Sequence, residues 1–342
     1  MGKRFAVTGG GTGGHLAIAG ALADALKARG HEAIFIGSTS GQDRMWFEDS
    51  ERFTQRYFLE TTGVVNRKGL HRVAALWRIV KGWWRARSIL SRHRVDGVIS
   101  VGGFSAAPGA LAALSRGTPL FIHEQNAATG RLNRMLRPYA RAFFSSYETA
   151  SPVRDYPVAT TFFERARVRR RIERIIFLGG SQGAAFINDL ALGIAPLLAE
   201  RGIAVTHQCG ERDFERVRNA YGALGAEVEL VAFTKSLPEL LEASDLAVSR
   251  AGASTLWELC ATGLPALFIP YPYAAGDHQF HNAAFLVERG FGWCERQGPQ
   301  VESVLRSLLD EDLETCSRGV MTLCGPGGAE RLVEAVEGML DA

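Results

Sequence analysis

Short apolar, often β-branched runs alternate with longer stretches of helical periodicity along the whole of this sequence. In the first half the runs are Phe5-Ala6-Val7, Ala33-Ile34-Phe35-Ile36, Gly97-Val98-Ile99-Ser100-Val101 and Leu120-Phe121-Ile122. Such alternation predicts βαβ units built on parallel sheets. The pattern then restarts. Ile175-Ile176-Phe177-Leu178 leads into Gly179-Gly180-Ser181-Gln182-Gly183 and a helical run, as Val7-Thr8 leads into Gly9 to Gly14 and the helical run from Leu16 to Ala28. Later strands are expected at Ala204-Val205-Thr206, Val228 to Val231, Leu246 to Ser249 and Ala266 to Ile269. The expectation is an α/β chain of two tandem Rossmann-like, doubly wound domains, 1–158 and 159–328, joined within the polar, proline-containing stretch 151–171. A cleft between them would face the carboxyl ends of both sheets, where open α/β sheets bind ligands. The final helical segment, 329–342, is a candidate to cross back onto the first domain.

The totals narrow the class. A chain of 342 residues is long for one core, so two domains are the expectation. No apolar stretch reaches the roughly 18 residues of a membrane span. Met1-Gly2-Lys3-Arg4 runs straight into a strand-like segment, not a leader, which predicts a cytosolic protein. The five cysteines, Cys209, Cys260, Cys294, Cys316 and Cys324, form no CxxC or Cys/His cluster, so neither a disulfide framework nor a zinc site is expected.

Gly9-Gly10-Gly11-Thr12-Gly13-Gly14-His15 lies between a strand and a helix, where bare backbone lets a phosphate approach the N–H groups of a helix N-terminus. The run also satisfies G-x-G-x-x-G. A dinucleotide site needs an acidic residue at the end of the second strand, however, and Ile36-Gly37-Ser38-Thr39-Ser40 offers none. Paired with the second loop, it would stabilise the diphosphate of a nucleotide sugar between two helix N-termini. No DxD-like carboxylate pair stands at a strand end, which predicts chemistry without a metal or other cofactor.

Four segments together resemble one family. They are Gly10-Gly11-Thr12-Gly13-Gly14-His15; His123-Glu124-Gln125-Asn126; Gly179 to Ala184 with Asn188; and the stretch from Ser249-Arg250-Ala251-Gly252-Ala253 through Glu258 to Asp277-His278-Gln279 and Asn282. Their order and spacing are similar to the MurG family over nearly the whole chain. These GT-B glycosyltransferases of peptidoglycan synthesis move N-acetylglucosamine from its UDP donor to the C4 hydroxyl of N-acetylmuramic acid in undecaprenyl-pyrophosphoryl-N-acetylmuramyl-pentapeptide, converting lipid I to lipid II. The resemblance implies UDP-N-acetylglucosamine and lipid I as partners, with cell-wall synthesis or division proteins as possible others, and a peripheral location on the cytoplasmic face of the bacterial inner membrane.

The resemblance also implies roles. His15 contacts the donor diphosphate or acts as base, an imidazole being suited to proton transfer near neutrality. Glu124, with Asn126 beside it, orients the acceptor or shares the proton, so the base is left open between His15 and Glu124. Gly11, Thr12, Gly13 and Gly14, with Gly180, Ser181, Gln182 and Gly183, are expected at phosphate, and Asn188 follows in the helix. Uracil would meet backbone near Thr234. Ala253, Ser254, Thr255 and Leu256 open the helix on which Glu258 holds both ribose hydroxyls, a bidentate task suited to a carboxylate. Gln279, with Asn282 nearby, contacts the sugar hydroxyls and acetamido group.

Three departures stand out. Phe104 replaces the tyrosine usual in Gly102-Gly103-Phe104-Ser105, Ile18 stands near the family's proline, and the junction Asn-Pro-Val-Arg corresponds either to Tyr156-Pro157-Val158-Ala159 or to Ser151-Pro152-Val153-Arg154. No arginine clamp is therefore assigned. Rival readings are another GT-B enzyme with the same donor domain, such as a UDP-N-acetylglucosamine 2-epimerase or a diacylglycerol glycosyltransferase, and a non-catalytic scaffold that binds nucleotide sugar.

The formal net charge of +3 is too small to imply nucleic acid, but it conceals an asymmetry. Between Glu60 and Asp96 there is no acidic residue, whereas Arg67, Lys68, Arg72, Arg78, Lys81, Arg85, Arg87, Arg92 and Arg94 interleave with apolar residues and tryptophans. On helical spacing Val73, Leu76, Trp77, Val80 and Trp84 share one face, expected inside, with Ile79 and Trp83 toward the other among the cations. Leu76, Ile79, Lys81, Trp83, Trp84 and Arg85 are the residues expected to meet the anionic inner leaflet.

Overall fold

The computed structural model describes residues 2–61, 70–180, 184–234 and 236–342, and side chains at all of these except 70–76. In chain order the first elements are β1 (Arg4–Gly9), α1 (Gly13–Ala28), β2 (Glu32–Ser38), α2 (Asp43–Phe47), β3 (Gln55–Leu59), α3 (Leu70–Arg92), β4 (Gly97–Gly102), α4 (Ala107–Arg116), β5 (Leu120–Glu124), α5 (Arg131–Leu136) and β6 (Ala142–Ser145). There follow α6 (Thr160–Phe163), β7 (Arg174–Leu178), α7 (Ala185–Glu200), β8 (Ala204–Gln208), α8 (Phe214–Leu224), β9 (Glu229–Val231), α9 (Leu237–Glu242), β10 (Leu246–Ser249), α10 (Ala253–Thr262), β11 (Ala266–Phe268), α11 (His278–Val287), β12 (Trp293–Cys294), α12 (Gln300–Leu308), α13 (Glu314–Met321) and α14 (Gly328–Asp341).

Two compact units result, Met1–Val158 with Gly327–Ala342, and Ala159–Pro326. Each holds one six-stranded sheet, in the orders β3-β2-β1-β4-β5-β6 and β12-β11-β10-β7-β8-β9. Every described strand pair is parallel. Counted within its own unit, each sheet therefore has the doubly wound order 3-2-1-4-5-6. Strands covered on both faces must be apolar throughout. Accordingly Phe5, Ala6, Val7, Ile34, Phe35, Ile36, Val98 and Ile99 are all fully buried, as are Ile175, Ile176, Phe177, Ala247 and Val248.

The order reverses between β1 and β4 in the first sheet and between β7 and β10 in the second, and ligands of such sheets bind at this reversal. In the first unit the loops after β1 and β4 touch there, backbone on backbone. Gly10 N–H donates to Gly102 O at 3.2 Å. Gly103 has φ of 80°, and a Cβ on it would stand 2.3 Å from Gly10 O, so no side chain fits.

Helix α14 belongs to the first unit, where Leu332, Val333 and Val336 are buried and α14 packs along α1. Burying each such side chain contributes roughly 1.5–3 kcal/mol. Ion pairs fasten its rim: Lys3 with Asp341 at 2.5 Å, and Glu337 with Arg29 and His31.

The face of α3 expected inside lies outside. Trp77 and Trp84 are 69% and 61% exposed and Val80 is 41% exposed, whereas Trp83 is half-buried, its indole donating to Ser115 Oγ at 2.9 Å, and Ile79 is half-buried as well. The reason is clearance. Helix α3 turns small residues to the protein: a Cβ on Gly82 would stand 3.1 Å from Pro108 of α4, and Ala86 is fully buried beside Ile89 and Leu90. Close helix approach leaves no room there for an indole.

Candidate active site in two domains

In the first unit the site is built at the carboxyl edge of the sheet. Thr12, in extended conformation, caps α1, and its Oγ1 lies 2.9 Å from His15 Nδ1, one turn into the helix. The other ring nitrogen, Nε2, meets Gln125 Nε2 at 2.7 Å across from the end of β5. His15 is thus held between two elements, half-buried, with a defined ring plane.

The glycine loop has an internal anion. Asp43, fully buried, accepts Gly11 N–H on Oδ1 at 2.5 Å and Ser38 N–H on Oδ2 at 2.7 Å, and burial raises its carboxyl above the usual range. The Gly11 N–H, expected at phosphate, is directed to this carboxylate. Phe104 closes over the same glycine, since a Cβ on Gly11 would lie 2.5 Å from its ring. Gly13 and Gly14 form the first turn of α1, with Thr12 exposed beside them.

Glu124 braces its own loop. Its carboxylate is 3% exposed and turned onto its own loop, Oε1 accepting Asn126 N–H at 3.0 Å and Asn126 Nδ2 at 3.5 Å, Oε2 accepting Gly130 N–H and Asn133 Nδ2, each at 2.9 Å. Four donors leave it no lone pair poised for a proton from substrate. It positions the 125–130 loop, and with it Gln125 and Asn126. Burial, with a contribution from His15, pushes the neighbouring His123 imidazole down to about 3, so that ring is neutral.

Asp43, Gln125 and Asn133 escaped sequence reasoning. Among the described residues the buried side-chain polar atoms without a partner include Thr61 Oγ1, Ser100 Oγ, His123 Nδ1, Gln125 Oε1, Asn133 Oδ1 and Ser146 Oγ. All belong to the first unit, on or just beyond the strand ends and in α5. Buried polar atoms are ordinarily paired, so this concentration marks a place for ordered water or ligand.

The second unit repeats the plan. Gly180, with φ of 71°, follows β7, but its N–H donates to Gln208 Oε1 at 2.9 Å and its carbonyl accepts from Gln208 Nε2, so the loop is fastened to β8. The expected contacts at Ser181, Gln182 and Gly183 lie outside the described residues. Asn188, fully buried, donates to Cys209 O and Asp213 Oδ2 and pairs with His207, holding α7 to the end of β8. Thr234 is half-buried, with Oγ1 accepting Ser236 N–H at 2.9 Å, and Phe233 beside it is 58% exposed.

Gly252 caps α10, whose first turn carries Ala253, Ser254 and Thr255. The Leu256 side chain is fully buried and its N–H donates to Gly252 O. Glu258 lies one turn on, half-buried, and burial alone pushes its carboxyl up to about 7. Among the described residues no side chain or N–H group bonds it. Asn282, fully buried, ties α11 to Ala251 O at 3.1 Å. Gln279, half-buried, accepts Tyr271 N–H on Oε1 at 2.8 Å. Asp277 pairs with Arg296 at 2.6 Å. At the junction Ala159 caps α6, and Arg154 is exposed in the first unit.

The described residues contain no group of His, Cys, Asp and Glu able to hold a metal ion, and no helix long and apolar enough to cross a membrane. An apolar groove of about 540 Å³ runs beside α3, lined by Ile79, Val80, Trp83, Leu111, Leu114, Ser115 and Tyr139. Lys81 and Arg85 are exposed near it, and the side chain of Leu76 lies outside the described residues.

Comparison with known proteins bears on what such sites do. The glycosyltransferase family 28 N-terminal domain matches residues 5–145, and the glycosyltransferase family 28 C-terminal domain matches residues 174–324. A Sulfurimonas denitrificans protein named UDP-N-acetylglucosamine–N-acetylmuramyl-(pentapeptide) pyrophosphoryl-undecaprenol N-acetylglucosamine transferase is 52% identical over 339 residues, 99% of this chain and 100% of that one. The chain belongs to the MurG family. A Wolinella succinogenes protein of the same name is 54% identical over 330 residues, covering 96% and 98%. The crystal structure of Acinetobacter baumannii MurG superposes with a TM-score of 0.81 at 26% identity, over 98% of this chain and 99% of that chain. An S. aureus MnaA–UDP structure, at a TM-score of 0.66 and 14% identity over 100% and 97%, shares the fold alone.

Proposed function

We propose that this chain transfers N-acetylglucosamine from UDP-N-acetylglucosamine to the C4 hydroxyl of the N-acetylmuramyl unit of lipid I, forming lipid II. The observation that carries the reading is near-complete alignment, at 52% identity, with a transferase of that name. The held imidazole of His15 and the unpaired carboxyl of Glu258 support it. The epimerase, lipid-glycosylation and scaffold readings are not favoured, because relatives that align over nearly the whole chain at 52% and 54% identity carry the transferase name.

In the proposed reaction the acceptor hydroxyl attacks the anomeric carbon of the donor sugar, the bond from that carbon to the diphosphate oxygen breaks, and UDP leaves. The hydroxyl proton passes to His15, and attack from the face opposite UDP inverts the anomeric centre to a β-glycoside. Donor groups belong to the second unit: Glu258 accepts the two ribose hydroxyls, Gln279 turns its amide N–H₂ to the sugar, and the N-terminus of α7 favours the diphosphate charge. We also assign membrane contact to the outer face of α3, where Trp77, Trp84 and Lys81 stand exposed among Arg78, Arg85 and Arg92 without a carboxylate among them. Indoles suit the headgroup layer, and each cation near an anionic surface contributes on the order of 1 kcal/mol.

The test is transfer of labelled N-acetylglucosamine to a synthetic lipid I analogue, with and without EDTA, by wild type and His15→Ala. A β-1,4-linked disaccharide undiminished by EDTA, with turnover lower by about 10²–10⁴ in the variant, is expected. Intact UDP-sugar binding without transfer would remove the lipid I assignment.

A further inference from the structure

The reading above needs one specific nitrogen of His15 to be basic, and a neutral imidazole has one donor and one acceptor nitrogen. Two contacts within the first unit bear on which is which. Thr12 Oγ1 lies 2.9 Å from Nδ1, and a hydroxyl serves either partner equally well. The second contact is selective: the amide nitrogen of Gln125 lies 2.7 Å from Nε2, and an amide N–H₂ only donates. We propose that Gln125 is the positioning residue of the transfer reaction, holding His15 as the tautomer with its proton on Nδ1, toward Thr12, and its lone pair on Nε2, where the acceptor hydroxyl delivers its proton. This inference rests on the proposed transfer reaction for its catalytic consequence, but not for the tautomer itself.

The opposite orientation of the amide makes the contrast plain. Turned over, Gln125 would offer Oε1 to an Nε2–H, satisfy its own carbonyl and leave that side of the ring without a lone pair. In the orientation adopted, Oε1 is buried and unpartnered. A buried amide oxygen without a donor is costly, and such atoms are uncommon away from functional positions. The chain also invests in placing Gln125. Glu124, next to it, spends both carboxylate oxygens on the 125–130 loop, and Gln125 itself is 6% exposed. The neighbouring ring, His123, is neutral and brings no competing charge to Nε2. When the acceptor hydroxyl arrives it takes the place of the amide N–H at Nε2; the O–H bond breaks, the N–H bond forms, and the hydroxyl oxygen's electron pair makes the bond to the anomeric carbon.

Nitrogen-15 spectra of the imidazoles, with the His15 signals assigned by their loss in His15→Asn, read the tautomer in the whole resting chain. Nδ1–H with a bare Nε2 is expected; Nε2–H in wild type overturns the proposal. Gln125→Glu can only accept, so it should move the proton to Nε2 and lower kcat by about 100-fold or more, while the Kd for UDP-N-acetylglucosamine stays within about twofold. Gln125→Met, which neither donates nor accepts at nitrogen strength, should lose about tenfold. A Gln125→Glu variant that switches tautomer yet keeps kcat within about threefold refutes the role. Should that variant fail to fold, the wild-type spectrum and the methionine variant decide. Absence of any transfer by wild type would remove the lipid I reading, and the spectrum would still judge the hydrogen bond.

Discussion

Glu258 offers the sharpest quantitative consequence of the proposed donor site. Its carboxyl has lost solvent without gaining a donor, and its midpoint sits at about 7. Two ribose hydroxyls can both donate only to the ionised form. At a midpoint of about 7, roughly a tenth of molecules are ionised at pH 6, half at pH 7 and nine-tenths at pH 8. If only that fraction binds well, the apparent Kd for UDP-N-acetylglucosamine should fall about tenfold from pH 6 to pH 8 and level off above. The donor's diphosphate diester stays doubly charged over this range, so the trend reports the protein. Titration calorimetry in two buffers of different ionisation enthalpy should also show proton release on binding below pH 7. Glu258→Gln should bind more weakly at pH 8, by about 1.5–3 kcal/mol, and without the trend. A flat Kd in wild type, or the same slope in the glutamine variant, would refute the assignment. The sign for stability is opposite to that of a paired carboxylate: between the ordinary 4.5 and about 7 the folded chain keeps a proton that the unfolded chain has released, so Glu258 costs more stability as pH rises through that window.

Glu124→Gln should slow turnover by about 10–100-fold through a loosened 125–130 loop yet leave the shape of the pH–rate profile unchanged; loss of the limb for the unprotonated base would restore Glu124 as base. The double change Trp77→Ala with Trp84→Ala should weaken sedimentation with anionic vesicles about tenfold or more, whereas Trp83→Phe should not; the reverse order would put the membrane face back where helical spacing alone suggests. Gly103→Ala should lower the Tm by several degrees in calorimetry, about 2–4 °C for each kcal/mol, since its Cβ would collide with Gly10 O; an unchanged Tm would show that the two loops are not in contact.

The doubly wound plan was legible because buried parallel strands announce themselves as apolar runs and each restart brings its own glycine loop. The motifs name the residues of the site but not their partners. His15 is bonded to Thr12 and Gln125, Gln279 accepts Tyr271 N–H, and Glu258 meets no donor among the described residues. Gly11, Glu124, Asn188 and Asn282 carry the same motifs, but their hydrogen-bonding capacity is spent inside the protein, and partner lists cannot be read from spacing. Asp43 shows why. The acid missing from Ile36 to Ser40 sits just beyond, on α2, and folds back to Ser38 and Gly11, a contact that depends on the turn between. Helix α3 misled for a different reason. It is apolar most of the way round, so periodicity alone does not choose a face; Gly82 and Ala86 do, by allowing close approach to α4.

Helix α14 gives the chain an order of assembly. The second unit is one uninterrupted segment, 159–326, while the first lacks its α14 layer until the last residues exist. During synthesis the ribosome must finish the second domain before the first can bury the face of α1 that meets Leu332, Val333 and Val336. The earlier-made domain is therefore the later to be completed. For that interval the first unit shows the bare apolar face of α1, and a chain ending near residue 326 would carry every residue of the second unit while the first stayed open along that seam.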